Sequence, residues 1–212
     1  MSEQVSIAAD GADVARSALE RCIGGGGVAL FPADGLYGLA CDPLNEASVQ
    51  RIQGLKGRDD RKPSAVMYFA PLAMRELVEE MGPRTRAAAS KLLPGPVTLV
   101  IANPRRRYPL ACREDPGRLG VRLIEGPLAG ARTAIFQTSA NRSGEPAPSR
   151  FEDIEPEILA GADLAIDGGE LRGEPSTVVD LTALDRDGSL RILREGAVAE
   201  SEIRERLRAI AF

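Results

Sequence analysis

Two stretches hold residue types that could do chemistry. Thr133 to Gly144 begins as a short apolar run centred on Ile135 and Phe136, then changes to Thr138, Ser139, Asn141 and Ser143, closed by Gly144 and Pro146. A short apolar run bounded by turn residues reads as a buried strand. Open α/β sheets bind ligands where a strand empties into such a loop. Hydroxyls, an amide and freed backbone N–H groups suit phosphate or carboxylate oxygens, although the same residues also make an ordinary turn. The second stretch, Lys56-Gly57-Arg58-Asp59-Asp60-Arg61-Lys62-Pro63, sets four cations within seven residues against two acids. It reads either as a polyphosphate clamp or as a solvated helix end whose cations complement the dipole.

The chain has no histidine. That excludes Ser-His-Asp and Cys-His catalysis, the common histidine-based zinc sites and the usual near-neutral general base. Chemistry would then rest on positioning and charge neutralisation, as phosphoryl and nucleotidyl transfer do. No cluster with metal-ligand spacing is evident. The run Gly24 to Gly27 precedes a strand and lacks the Gly-Lys-Ser/Thr of a phosphate loop, so it reads as a helix C-cap and turn.

The elements that must position these residues follow from periodicity and punctuation. Helices are expected over 10–23, 46–55 (capped by Asn45), 71–81, 83–93, 151–160 and 200–210. Strands are expected over 28–31, 65–69, 97–102, 120–123, the Ile135 run, 163–167, 176–180 and 190–194. Phe31 to Pro43, with two glycines and two prolines, reads as an irregular crossing. Arg105-Arg106-Arg107 reads as a solvated hairpin tip that could touch RNA. Arg122 is a lone charge inside a strand and needs a partner or a ligand. The order of elements is mixed α/β.

Composition bounds the rest. The 212 residues suit a single domain, 1–212, with a substantial core. A net charge of −4 gives no general pull toward nucleic acid or membrane surfaces. No apolar run is long enough to span a bilayer, and the N-terminus lacks the pattern of a signal peptide. Cys22, Cys41 and Cys112 show no Cys-x-x-Cys spacing, which points to reduced thiols and a cytoplasmic location.

Taken together, the motifs resemble the YrdC-like family, the threonylcarbamoyl-AMP synthases of tRNA modification. That family carries Lys-x-Arg and Ser-x-Asn, here Lys56-Gly57-Arg58 and Ser139-Ala140-Asn141. In the same order come Phe31-Pro32…Tyr37-Gly38-Leu39, Lys62-Pro63, Pro94-Gly95-Pro96-Val97-Thr98, Gly120-Val121-Arg122, Ser176 to Asp180 and Ile192 to Gly196. The resemblance covers residues 14–205. It implies a twisted, mixed parallel/antiparallel sheet with flanking helices around a basic concave cavity. It implies a reaction in which L-threonine, bicarbonate and ATP give threonylcarbamoyl-AMP and pyrophosphate. It also implies Mg²⁺ carried on the ATP phosphates, and tRNA and a downstream threonylcarbamoyl transferase as partners.

By position, the resemblance assigns catalysis to Lys56, Arg58, Ser139 and Asn141. ATP would be held by Arg58, Lys62, Asn141, Ser149 and Arg194, with Lys56 also on the triphosphate. Gly35, Met67, Arg122, Ser139 and Ser176 would surround threonine, with Arg122 on its carboxylate. Three positions depart from the family pattern. Pro32-Ala33-Asp34-Gly35 lacks two hydroxyls of the usual Pro-Thr-Asp/Glu-Thr, Met67 replaces a histidine found in some members, and Asp59 replaces a proline. Because Lys56 and Arg58 lie in a polar loop, replacing either is expected to cost activity and spare the fold. Gly35→Thr is expected to sharpen threonine preference if the backbone there tolerates a β-branched residue. The alternatives are a paralogue activating another amine or carbamoyl compound, a double-stranded RNA-binding module, and a sugar-phosphate synthase of the same architecture.

Overall fold

In the computed structural model, which describes residues 2–57, 63–208 and 210, ten strands hydrogen-bond into one sheet. The chain begins with β1 (Glu3–Ser6), α1 (Ile7–Asp10), α2 (Ala12–Gly24), β2 (Ala29–Ala33), β3 (Leu36–Cys41) and α3 (Glu46–Lys56). β4 (Ala65–Tyr68) leads through a 3-10 turn, Pro71–Met74, to α4 (Arg75–Glu80) and α5 (Pro83–Leu92). β5 (Val97–Ala102), α6 (Pro109–Cys112), β6 (Arg118–Leu123) and β7 (Ile135–Ser139) follow. A second 3-10 turn (Phe151–Asp153), α7 (Pro156–Gly161), β8 (Leu164–Asp167), β9 (Thr177–Asp180), α8 (Leu184–Asp187), β10 (Arg191–Arg194) and α9 (Glu200–Leu207) complete it. The strand order is β1-β8-β2-β3-β7-β4-β6-β5-β9-β10. The β1–β8, β2–β8, β4–β6 and β5–β9 pairs are parallel and the other neighbours antiparallel, so the sheet is mixed as expected.

Alternation along the strands sorts the core onto two faces. Leu30, Leu39, Val66, Leu99, Val121 and Phe136 point one way and meet Val49 and Ile52 of α3, Leu92 of α5, and Ile203 and Leu207 of α9. The alternate residues Ala29, Phe31, Ala40, Met67, Ile135 and Ile166 point the other way, where α2 lays Ala15, Leu19 and Ile23. Helix α2 lies over the β1, β8 and β2 end of that face. Toward the other end the row Val100, Gly120, Ala65 and Gln137 runs in register across β5, β6, β4 and β7. Small and polar residues have replaced the large apolar ones, and a cavity opens over this half of the sheet.

Several expectations change. Phe31 to Pro43 is not an irregular crossing: β2 and β3 form a hairpin through Asp34-Gly35, with Ala33 opposite Leu36. Pro32 is tolerated because its parallel neighbour β8 pairs only with Ala29 and Leu30, so its missing N–H costs no ladder bond there. Opposite it, the Tyr37 N–H donates outward to the Pro148 carbonyl, 2.8 Å away. The helix expected over 71–81 opens as a 3-10 turn, that over 151–160 is a 3-10 turn plus the short α7, and the last helix ends at Leu207. The edge strand β1 and helices α1, α6 and α8 are too short to leave a periodic signal. The Arg105–Arg107 stretch is not simply a solvated tip. Arg107 donates to Glu80 through Nε at 2.8 Å and Nη2 at 2.5 Å, and Arg105 lies 3.3 Å from the same carboxylate.

Candidate active site

The cavity has a volume of about 840 Å³, within the range of small-molecule sites. Lys56, Arg122, Ser139, Asn141, Ser176 and Arg194, drawn from five separate motifs of the sequence, all line it. Arg58 and Lys62 lie outside the described residues. The lining charges among the described residues are mixed: Lys56, Arg118, Arg122 and Arg194 stand with Asp115, Glu145 and Glu174.

Lys56 enters from the end of α3, which Asn45 caps by accepting the Ser48 N–H at 3.1 Å and which Gly57 terminates at φ 54°. It is 3% exposed. Its ammonium donates to the Ser139 carbonyl, the Asn141 carbonyl at 2.6 Å and Asn141 Oδ1 at 3.2 Å. The Ser143 N–H returns 2.8 Å to the Lys56 carbonyl. Asn141, 8% exposed, closes the loop by donating Nδ2 to the carbonyls of Arg142 at 2.8 Å and Glu145 at 2.5 Å. The Lys-x-Arg and Ser-x-Asn motifs are therefore fastened to each other. Lys56 is not a solvated helix end and not a side chain in a polar loop: it is a buried cross-link between α3 and the turn after β7. The expectation that its removal spares the fold does not survive this geometry.

Across the cavity, β5, β10 and the residue before β9 present a second group. Ser176 Oγ and Thr98 Oγ1 share a hydrogen bond at 2.8 Å. Arg194 donates to the Ser176 carbonyl through Nη2 at 2.8 Å and Nε at 3.2 Å, and to its hydroxyl at 3.2 Å. Between the two groups stands Arg122 on β6, 5% exposed. Its Nη2 donates to the Asp34 carboxylate and its Nη1 reaches Gln137 Oε1 at 3.5 Å. Its Nε is buried without a hydrogen-bond partner. Burial pulls the Arg122 guanidinium below its ordinary pKa, with Asp34 pushing back up and Arg194 adding to the fall. Burial likewise raises the Asp34 carboxyl, against the Arg122 charge. The arginine thus has its partner inside the chain and still carries an unused donor. Asp34, Gln137 and Thr98 are site residues that motif reading had not assigned.

Three assigned residues stand elsewhere. Met67 lies beside Arg122 in register and on the same face, but it is fully buried among Phe31, Phe69 and Ile135 and does not line the cavity. Gly35 lines a neighbouring cavity of about 350 Å³. Its carbonyl accepts the Gly173 N–H at 2.9 Å, and a Cβ on it would meet the Glu174 carbonyl oxygen at 2.1 Å. A strap, Gly173-Glu174-Pro175, crosses directly over the hairpin tip, so Gly35→Thr cannot simply add a hydroxyl. Ser149 is half-buried behind this strap, its carbonyl accepting the Leu171 N–H at 2.8 Å, and it does not line the main cavity.

Among the described residues no three Cys, Asp or Glu side chains converge in a way that could hold a metal ion. No described helix is long and apolar enough to cross a membrane.

Known proteins share both fold and sequence with this chain. The threonylcarbamoyl-AMP synthase of Thiobacillus denitrificans is 34% identical over 164 residues, 74% of this chain and 85% of that one. The crystal structure of P. abyssi Sua5 complexed with L-threonine superposes with a TM-score of 0.81 at 27% identity, over 97% of this chain and 60% of that one. This chain therefore spans less than two thirds of that Sua5 chain. E. coli YciO, 23% identical with a TM-score of 0.81 over 96% of this chain and 100% of that one, shares the fold. The family model Sua5_yciO_yrdC, described as Telomere recombination, matches residues 21–196, and the chain belongs to that family.

Proposed function

We propose that this chain is a threonylcarbamoyl-AMP synthase: it joins L-threonine, bicarbonate and ATP into threonylcarbamoyl-AMP and pyrophosphate, for the N6-threonylcarbamoyladenosine modification of tRNA. The observation that carries the reading is one cavity in which a buried arginine with an unused donor, Arg122, faces the fastened Lys56–Asn141 loop and Arg194. A carboxylate satisfies such a guanidinium, ideally through two parallel hydrogen bonds. The threonine amine then captures CO₂, released from bicarbonate with water, as a carbamate. A carbamate oxygen attacks the α-phosphorus, and the α–β phosphoanhydride bond breaks to release pyrophosphate. The nucleophile belongs to the substrate, so a chain without histidine is not short of one. The class is adenylyl, hence nucleotidyl, transfer.

Within this reading Arg122 holds the threonine carboxylate, with Ser139 and the Ser176–Thr98 pair around the amino acid. Asn141 and Arg194, with Arg58 and Lys62, serve ATP, while Ser149, behind the strap, does not reach it from the main cavity. Lys56 acts by holding the Ser139–Asn141 turn in place as well as by its charge. Mg²⁺ would arrive on the ATP phosphates and would supply charge neutralisation at the leaving pyrophosphate. Cytosolic tRNA and a transferase that consumes the adduct complete the scheme.

The test is pyrophosphate release from purified protein, with threonine and bicarbonate each left out in turn. Dependence on both supports the reading, and release indifferent to threonine defeats it. One observation favours the paralogue reading instead. The hairpin tip under the strap has no room for a side chain at Gly35, so the hydroxyls that relatives place there are absent. A paralogue would turn over another amine in preference to threonine in the same assay. The RNA-binding module gains little from Arg107, whose guanidinium is paired with Glu80 and Glu76.

A further inference from the structure

Arg122 and Asp34 form the wall between two cavities. Arg122 lines the main one, while Asp34 lines the smaller one of about 350 Å³ with Glu125, Arg172 and Glu174. The Asp34 side chain is 15% exposed and that of Arg122 7%. Asp34 occupies the first position of the hairpin turn at φ 65°, in the left-handed region that a non-glycine residue adopts at a cost and keeps only where its surroundings hold it. Here the strap supplies the hold, because it packs on Gly35 and leaves the tip nowhere to relax. The backbone is thus constrained to keep a carboxylate on the one buried guanidinium that a substrate carboxylate would also need.

Arg122 meets Asp34 through Nη2 alone and keeps Nε unpartnered. A second carboxylate arriving from the main cavity, which Arg122 lines, would stand across a single guanidinium from Asp34. Two carboxylates sharing one cation in a water-poor site repel each other, and one must withdraw or become neutral. We propose that Asp34 is an internal competitor for Arg122, a residue that sets how tightly the site holds a ligand carboxylate, because such a ligand must displace Asp34 from the guanidinium. An amine or carbamoyl compound without a carboxylate has nothing with which to displace it. The inference rests on the synthase reading for the identity of the ligand, but not for the competition itself.

The charged groups facing Asp34 are Arg122 from β6, Glu125 from the turn after β6, and Arg172 and Glu174 from the strap side, while Arg194 bears on Arg122 from β10. Burial raises the Asp34 carboxyl first, Arg122 opposes, Glu125 adds to the rise and Arg172 opposes. Protonated Asp34 holds Arg122 weakly, so carboxylate binding should strengthen as pH falls.

The test compares the wild-type chain with Asp34→Asn by calorimetry with L-threonine and L-threoninamide, and by thermal melting with and without acetate. The competitor assignment expects Asp34→Asn to bind threonine about tenfold or more tightly and to gain nothing with threoninamide. It also expects Asp34→Asn to melt lower than wild type and to be rescued by acetate, which leaves wild type unmoved. A merely structural Asp34 would lower the melting temperature without selective tightening toward carboxylates. Measurable threonine binding that is equal or weaker in the variant, or acetate acting alike on both proteins, overturns the assignment while leaving the synthase reading standing. Acetate rescue of the variant alone, with no threonine binding by either protein, upholds the assignment and defeats the synthase reading. If Asp34→Asn does not fold, wild-type affinity for threonine between pH 8 and pH 5.5 decides. A rise on acidification supports competition, and a flat or falling profile overturns it.

Discussion

Replacing Lys56 by methionine tests whether the site's two motifs are held together by one buried charge. Methionine keeps most of the stem, so the packing around a residue only 3% exposed is largely preserved. The change strands three acceptors: the Ser139 carbonyl, the Asn141 carbonyl and Asn141 Oδ1. A buried acceptor left unmade costs ~1–3 kcal/mol. Ser139 is half-buried and water can reach part of that turn, so the low end applies, ~1 kcal/mol each and ~3 kcal/mol together. Relief of the lysine's own desolvation offsets part of this, but the acceptors remain after the ammonium has gone. At ~2–4 °C per kcal/mol for a chain of this size, the melting temperature should fall by ~6–12 °C. Turnover should fall by ~10²-fold or more, because the Ser139–Asn141 turn loses its anchor. Thermal and urea melts, run beside pyrophosphate release, read both effects. A variant that melts within ~2 °C of wild type yet has lost activity would contradict the cross-link and restore Lys56 as a charge acting only on phosphate.

Other substitutions probe the frame around the cavity. Gly35→Thr should destabilise the fold by ~1–3 kcal/mol without improving threonine selectivity, since its Cβ would meet the Glu174 carbonyl oxygen at 2.1 Å; denaturation and an amino-acid panel check both. Tyr37→Phe removes a hydroxyl that donates to the Gly169 carbonyl at 2.7 Å and accepts from the Gly168 N–H at 3.0 Å. It should cost ~1–2 kcal/mol in a urea melt and raise the KM for threonine, because those bonds tether the segment leading into the strap. Asp180 accepts from Arg118 at 2.8 Å, Arg191 at 2.9 Å and the Thr182 hydroxyl at 2.6 Å. Burial pushes its carboxyl up, but these bonds more than offset it and leave it below the ordinary range. A carboxyl depressed in the fold contributes stability above its unfolded pKa of about 4 and loses it as pH falls through the lower folded value. Asp180→Asn should therefore flatten the acid limb of a stability–pH profile below pH ~4; an unchanged limb would show that Asp180 carries none of it.

Much of the fold can be read from local pattern, because the strands that carry the site are short and apolar between punctuating residues. β5 falls on its expected residues and β7 on the Ile135 run. The β2–β3 hairpin cannot be read that way. Its prolines and glycines look disruptive until the register shows that Pro32, paired with Tyr37 on β3, has no ladder bond to β8 to lose. Site identities were legible through motifs, but their state was not. A lysine at a helix C-terminus looks solvated from its neighbours in sequence, and only tertiary contact from 83 and 85 residues away buries Lys56. Arg122 reads in the sequence as a charge in need of a partner, while the partner, Asp34, lies 88 residues away and depends on a turn that composition obscures. Met67 shares a face with Arg122, yet which half of that face α2 and its apolar neighbours fill is decided by packing.

The central claim is a chemical one, that carbon from bicarbonate ends between threonine and AMP. The direct measurement is mass analysis of the nucleotide products after incubation with ATP, L-threonine and ¹³C-bicarbonate. The account predicts an AMP adduct containing threonine whose mass rises by one unit with the label, formed in step with pyrophosphate. An AMP–threonine adduct lacking the label, or pyrophosphate released with no adduct, would contradict it.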